Sequence, residues 1–333
     1  MPLWREPTMT KETFLKELAL GLTNLSQEER RRVLEYYGEL ICDGIENGKS
    51  EESVIQDFGS PKEIAASICA EYGRTAPRKP ASSDGQHIYA SKEPVGAIIL
   101  TAQNLRIEVR ENAQIETVQV LFSPLGNDHV AVTEENSTFS FCHTITMQPF
   151  FWRDLFHGAR SLILEVPVNF SGSLSIQTCN AKITVDSLHS IGTGSFITSN
   201  ACIFITSTVC RTLQARTSNS RLLLLNCSGE SCTAKTSNGR LQAEDCRFPT
   251  RLSLHTSNSP VRAEQLSSNN VELKTCNAPI HATLHGDPRD YTIHSHTSNG
   301  RSSLPADWSF PGQACSLSAV TSNASIDVKL VPE

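Results

Sequence analysis

A three-residue signature, Thr-Ser-Asn or Thr-Cys-Asn, occurs eight times between residues 178 and 323 of this 333-residue chain. Its asparagines are Asn180, Asn200, Asn219, Asn238, Asn258, Asn277, Asn299 and Asn323, at intervals of 20, 19, 19, 20, 19, 22 and 24 residues. A period of this length marks an array of small units, none of which can bury its apolar face alone. Alignment on the asparagine shows how a unit is built. Four positions before it stand Ile176, Phe196, Ala215, Ala234, Leu254, Leu273, Ser295 and Ala319. Three after it stand Ile183, Ile203, Leu222, Leu241, Val261, Ile280, Ser302 and Ile326, and five after it Val185, Ile205, Leu224, Ala243, Ala263, Ala282, Leu304 and Val328. These columns alternate with polar ones, the period of two expected of strands with one face inward. The expected fold is mainly β: a single-stranded parallel β-solenoid (β-helix) with rungs of 19–20 residues, stacked about 4.8 Å apart.

The triplet itself falls at a corner. Alternation turns its Thr inward, with the methyl packing and the hydroxyl bonding locally. Asn tolerates the left-handed backbone of a tight turn, and stacked amides can bond to one another along the axis. Small residues follow directly, among them Ala181, Ser220, Gly239 and Gly300. The eight asparagines are therefore read as a repeated structural corner.

The first 73 residues follow a different period. Phe14, Leu15, Leu18 and Leu22 make one helical face, and Ser26-Gln-Glu-Glu29 is a capping box before a helix carrying Val33, Tyr37 and Ile41, which Asn47-Gly48 ends. Ser50 caps a third, short helix to Phe58, and Ser60-Pro61-Lys62-Glu63 opens a fourth with Ile64, Ala65, Ile68 and Tyr72 inward. The chain thus divides into a small four-helix module at 10–73, a Pro- and Ser-rich flexible linker at 74–93, and the solenoid at 94–331. Within the last, 94–170 reads as irregular N-terminal coils and a cap, and 171–331 as the regular repeat. The last coil ends at Pro332 with no evident cap, leaving end-to-end association open.

Charge separates the two parts as well. Residues 1–73 hold 8 Lys+Arg against 14 Asp+Glu, a net of −6, while the remaining 260 hold 21 of each. An acidic module repels phosphates, so no direct nucleic-acid binding is expected there. No stretch reaches the roughly 20 apolar residues of a membrane span, and Met-Pro-Leu-Trp-Arg-Glu-Pro lacks the features of a secretory signal. A cytoplasmic location is the expectation. Eleven cysteines, odd in number and without CxxC spacing, read as reduced filler residues.

The stretches Phe14-Leu-Lys-Glu-Leu18, Glu35-Tyr-Tyr-Gly-Glu39, Asp43-Gly-Ile-Glu-Asn-Gly-Lys-Ser-Glu-Glu52 and Phe58-Gly-Ser-Pro-Lys-Glu-Ile-Ala65 resemble the HAAS-type helical signalling module of bacterial proteins. The repeat resembles the "putative-adhesin" β-strand repeat family. Together the two resemblances imply a bacterial, non-enzymatic protein, often encoded near PadR-like transcriptional regulators. Relatives commonly place a membrane span after the helical module; here a polar linker stands in that place.

No phosphate loop, nucleophile elbow or zinc-protease motif occurs, and neither a cofactor nor a metal is expected. His281/His285 and His294/His296 are close pairs without further ligands and read as solvated. A polysaccharide-active enzyme on a β-helix would need clustered carboxylates, whereas Asp186, Asp245, Asp287, Asp290 and Asp307 share no column. Two features stand out as candidate sites. Three positions before the asparagine, Arg216, Lys235, His255, Lys274 and His296 form a candidate binding stripe, with Lys182, Arg221, Arg240 and Arg301 round the corner. Glu230, Glu244, Asp245 and Glu264 are the expected balancing charges. Phe150, Phe151, Trp152 and Phe156 form an aromatic burst read as a cap over the first coil or a docking patch. The leading reading is an interaction or regulatory scaffold with a protein partner, such as a PadR-like regulator or a membrane complex. An envelope-associated adhesin-like or glycan-binding protein, holding an anionic glycan, is the alternative.

Overall fold

The structure, a computed structural model, describes residues 9–25, eight positions between 27 and 41, and residues 50–74, 87–124, 128–145 and 161–332. They belong to two units with separate cores.

In the helical unit, α1 spans Lys11–Gly21, α2 Glu51–Phe58 and α3 Pro61–Arg74. Thr10 and Ser50 cap the first two, each side chain accepting from the backbone N–H three residues on. The Lys11 amide bonds the Glu51 carboxylate and ties one helix start to the other. Rings of Phe14, Tyr37 and Phe58 meet at centroid distances of 5.7, 5.9 and 5.5 Å. Four helices were expected, and three have described bounds. Val33, Tyr37 and Ile41 of the expected second helix are helical and buried. Gln27, Arg30, Arg31, Leu34 and Gly38 are helical too, while the other positions of that helix, including Asn47-Gly48, lie outside the described residues, as does the side chain of Tyr72.

The β unit opens with β1 (His87–Ala90), β2 (Ala97–Ala102), β3 (Arg106–Asn112), β4 (Gln119–Phe122), β5 (Asp128–Glu135), β6 (Thr138–Ile145) and β7 (Ser161–Pro167). Regular two-strand rungs follow: β8 (Ser173–Thr178) with β9 (Ile183–Asp186), β10 (Ile191–Ile197) with β11 (Ile203–Thr206), and β12 (Cys210–Arg216) with β13 (Leu222–Leu225). The series continues through β14 (Ser231–Lys235) with β15 (Leu241–Glu244), β16 (Arg251–His255) with β17 (Val261–Leu266), and β18 (Asn270–Lys274) with β19 (Ile280–His285). Last come β20 (Tyr291–His296), the two-residue β21 (Asp307–Trp308), β22 (Cys315–Val320) and β23 (Ile326–Val331).

One strand of each rung joins an 11-stranded sheet and the other a 12-stranded sheet, both mostly parallel. The registers are those the repeat dictates: Phe196 pairs with Ala215, and Ile203 with Leu222. Inward and outward positions alternate in β8, where Leu174, Ile176 and Thr178 are buried and Ser173, Ser175 and Gln177 exposed, and the alternation slips in β17 at a bulge between Ala263 and Leu266. The inward side chains of both sheets form one continuous core. Where Phe196 points inward, Gly194 clears its path. A Cβ there would lie 3.0 Å from the ring and 3.1 Å from the Cys210 sulfur.

Chain order and stacking order part company at both ends. The β2–β3 rung lies between the β6–β7 rung and the β8–β9 rung, although β6 and β7 come later in sequence. At the other end β22 is inserted between β18 and β20. The outermost strand there is not the last one, and β21 pairs antiparallel along its edge. The chain end at Pro332 was expected to leave an uncapped coil; the terminal strand β23 is the edge of the 11-stranded sheet, and in the 12-stranded sheet the short antiparallel β21 covers the edge. Antiparallel β5 on β6 and β1 on β4 do the same at the start, closing edges that would otherwise template further pairing. Residues 87–90, read as linker, are therefore strand β1. His87-Ile88-Tyr89-Ala90 has no alternation of buried and exposed positions, so nothing local separated it from the Pro- and Ser-rich stretch beside it.

Candidate functional site

The corner asparagines form a ladder. Asn200 donates its Nδ2 to Asn180 Oδ1 at 2.7 Å, and Asn219, Asn238, Asn258 and Asn277 each repeat this to the rung before, all at 2.7 Å. Asn323 then donates to Asn277 at 2.7 Å and Asn299 to Asn323 at 2.8 Å, following the stack rather than the sequence. The ladder begins one rung earlier than the triplets, since Asn180 donates to Asn104 at 2.9 Å. Asn104 was missed because its rung reads Ala102-Gln103-Asn104. The signal was nonetheless present in Leu100, Ile107 and Val109 at the same offsets.

Two expectations about the corner change. The triplet asparagines were expected to take the left-handed backbone, yet among the ladder residues only Asn104 has positive φ, at 54°. The left-handed residue falls seven positions later, at Ser187, Ser207, Asn226, Asp245 and Gln265, with φ between 47° and 55°. Asparagine is kept in the triplet for its amide. The threonines do turn inward, but their hydroxyls bond to the neighbouring rung: Thr217 Oγ1 donates to Ala201 O at 3.0 Å and Thr236 Oγ1 to Ser220 O at 3.2 Å. Each thus satisfies a carbonyl that the corner leaves outside the sheets.

Cations flank this ladder on both sides. On the 12-stranded sheet Arg216, Lys235, His255 and Lys274 are in register on four adjacent strands. His296 is not next in line, because inserted β22 puts Val320 between it and Lys274. His255 lies 3.0 Å from Glu272, which also binds Arg251 at 2.8 Å. Burial, with Lys235 and Lys274 nearby, outweighs the pull of Glu272 and holds the His255 imidazole below its ordinary range. The positive charge of the stripe near neutral pH therefore rests on Arg216, Lys235 and Lys274, which make no ion pair among the described residues. The sequence reading named Glu230, Glu244, Asp245 and Glu264 as counter-charges and overlooked Glu272. Of those four, Glu244 and Glu264 pair in register on the other sheet.

Across the corner, Lys182 and Arg221 bracket the outward ring of Phe204, 4.1 and 5.7 Å from its centroid. Arg221 also donates to Gln242 at 2.9 Å, and Arg240 is exposed on the next rung. The structure so brings together all eight predicted corner asparagines and four of the five stripe residues. Phe150, Phe151, Trp152 and Phe156 lie outside the described residues. An exposed aromatic pair not foreseen, Trp308 and Phe310, stacks edge-on at 5.0 Å at the end of the solenoid.

Among the described residues no group of three or more His, Cys, Asp or Glu is placed to hold a metal, and no helix is long and apolar enough to cross a membrane. The described cysteines are all free thiols, and Cys210, Cys227, Cys232 and Cys246 are buried in the core. His281 and His294 each face a carboxylate, Asp327 and Asp307.

Residues 13–67 match the HAAS family, and residues 87–319 match the family described as Toastrack DUF4097. No curated protein matches the chain. It is similar to a solved structure of a "putative cell adhesion protein" from Clostridium sporogenes, at 8% identity and a TM-score of 0.25, over 74% of this chain and 97% of that one.

Proposed function

The chain belongs to the Toastrack DUF4097 family and carries a HAAS domain ahead of it, and from that premise we propose that it is a non-enzymatic interaction scaffold. The acidic helical module contacts a protein partner, for which a PadR-like regulator is the first candidate. The solenoid contributes a rigid ridge along its asparagine corner. One observation carries this reading: exposed cations stand in register on both sides of a continuous amide ladder, without ion-pair partners among the described residues. Like charges so close repel one another. The one carboxylate on their face, Glu272, is taken up by Arg251 and His255, so Arg216, Lys235 and Lys274 favour something anionic from outside.

Affinity capture from the native host tests this, with the full chain compared against one lacking residues 1–73. A protein held only by the full chain supports the two-module scaffold. Turnover of a substrate by the purified chain, lost on substitution of a described carboxylate, would overturn the non-enzymatic part.

A further inference from the structure

Resting on the ridge just assigned, the geometry points to an extended acidic polysaccharide as its ligand, lying along the asparagine ladder with carboxylates against the flanking cations. The cationic part covers the four rungs from Asn219 to Asn277, about 14 Å at the usual strand spacing. Arg216, Lys235 and Lys274 stand on one side, and Arg221 and Arg240 on the other. Between them runs a floor of exposed asparagines. Each ladder amide spends one N–H and one oxygen lone pair on its neighbours. An amide has two donors and two acceptor sites, so one of each faces solvent at every rung. A repeating donor–acceptor pair flanked by cations suits a chain that presents hydroxyls and carboxylates at a regular interval.

The surroundings argue against other polyanions. Beyond the cations, the outer face of the 12-stranded sheet carries Thr212, Gln214 and Thr233, which bond to polyols and offer no ring for a base to stack on, and its one carboxylate among the four rungs, Glu272, is already held by Arg251 and His255. On the other sheet the far ends of the strands are acidic, with Asp186, Glu244 and Glu264. A duplex broad enough to reach them would meet repulsion. A narrow chain confined to the ridge would not.

The test is binding of the full chain to polygalacturonate at low salt, with methyl-esterified polygalacturonate, poly-L-glutamate and oligo-dT as competitors. Polygalacturonate should bind and be displaced by salt, its ester should fail to compete, and the other two should compete weakly. The R216Q/K235Q/K274Q variant should lose about tenfold in affinity or more. These side chains are exposed, and an unchanged thermal midpoint would show that the fold is kept; the ester comparison needs no variant. Absence of polygalacturonate binding, equal competition by poly-L-glutamate or oligo-dT, or unchanged affinity in the triple variant would each overturn the assignment. None of these outcomes bears on capture through residues 1–73, so the scaffold reading stands or falls separately.

Discussion

At the residue scale, the corner depends on one side-chain amide used in two directions. Asn219 donates to Asn200 and accepts from Asn238, both at 2.7 Å. Its replacement by Ala removes both bonds, each worth about 0.5–1.5 kcal/mol net, and should lower the solenoid's stability by about 1–3 kcal/mol in denaturant unfolding. Aspartate is the sharper probe. As a carboxylate it still accepts from Asn238 but sets an oxygen against that of Asn200. Asn219→Asp should therefore be less stable than wild type at neutral pH and recover as pH falls below about 4, when the carboxyl regains a proton to donate. Thermal midpoints measured across that range would show it, and a pH-independent deficit would contradict the ladder. Gly239 marks another constraint, since a Cβ there would lie 1.8 Å from Ser220 O. The equivalent Ser220 and Ser259 carry one, so the corner backbone adjusts from rung to rung.

At the element scale, the N-terminal rungs are joined through one buried carboxylate that periodicity could not reveal. Glu165 on β7 is 8% exposed and takes the Arg110 guanidinium at 2.6 Å and the Asn112 amide at 2.7 Å, both from β3. Burial opposes its charge, but the Asn112 and Arg110 hydrogen bonds outweigh it and hold the carboxyl below its ordinary range. A depressed carboxylate stabilises the fold above its unfolded value, near 4.5, and that stabilisation is lost as pH falls through the folded value. Glu165→Gln should accordingly be less stable than wild type at pH 7, with the two thermal midpoints converging on acidification. Parallel curves would mean that the ion pair contributes nothing. The elements themselves were legible where the code is local. Columns of Ile, Leu, Val and Ala announced the strands, and Ser50 and Pro61 two of the helix starts, whereas the Thr10 cap was not foreseen. The stripe was legible as a column, yet its counter-charge was not. Glu272 lies on the same outer face as Lys274, two residues before it, and its partners Arg251 and His255 come from the adjacent strand. Left-handed residues also escaped notice, since Ser, Asn, Asp and Gln share no single type at that position.

At the scale of the whole molecule, the sequence showed how rungs are made but not the order in which they stack. Triplets at 297 and 321 look alike, and only the longer intervals of 22 and 24 residues hint that the chain makes an excursion there. Which strand sits outermost depends on long-range pairing, which no local pattern encodes. A chain ending at Ala314 would keep β20 and β21 but lose the strand to which β20 is paired in parallel. Amides of 291–296 and 307–308 should then lose their hydrogen-exchange protection although they remain in the chain, while those of β8 to β15 keep theirs. Retained protection would show instead that β20 can stack directly on β18.

That insertion also governs how the molecule can be made. A ribosome delivers residues in order, and the regular rungs from β8 to β19 can each dock as they emerge. The growing end cannot simply continue: β20 has no resting place until β22 and β23 have been synthesised and have settled against β18 and β19. Completion of the solenoid thus waits for residues 315–331, and a nascent chain stalled before residue 315 leaves the edges of β18 and β19 open as templates for other strands.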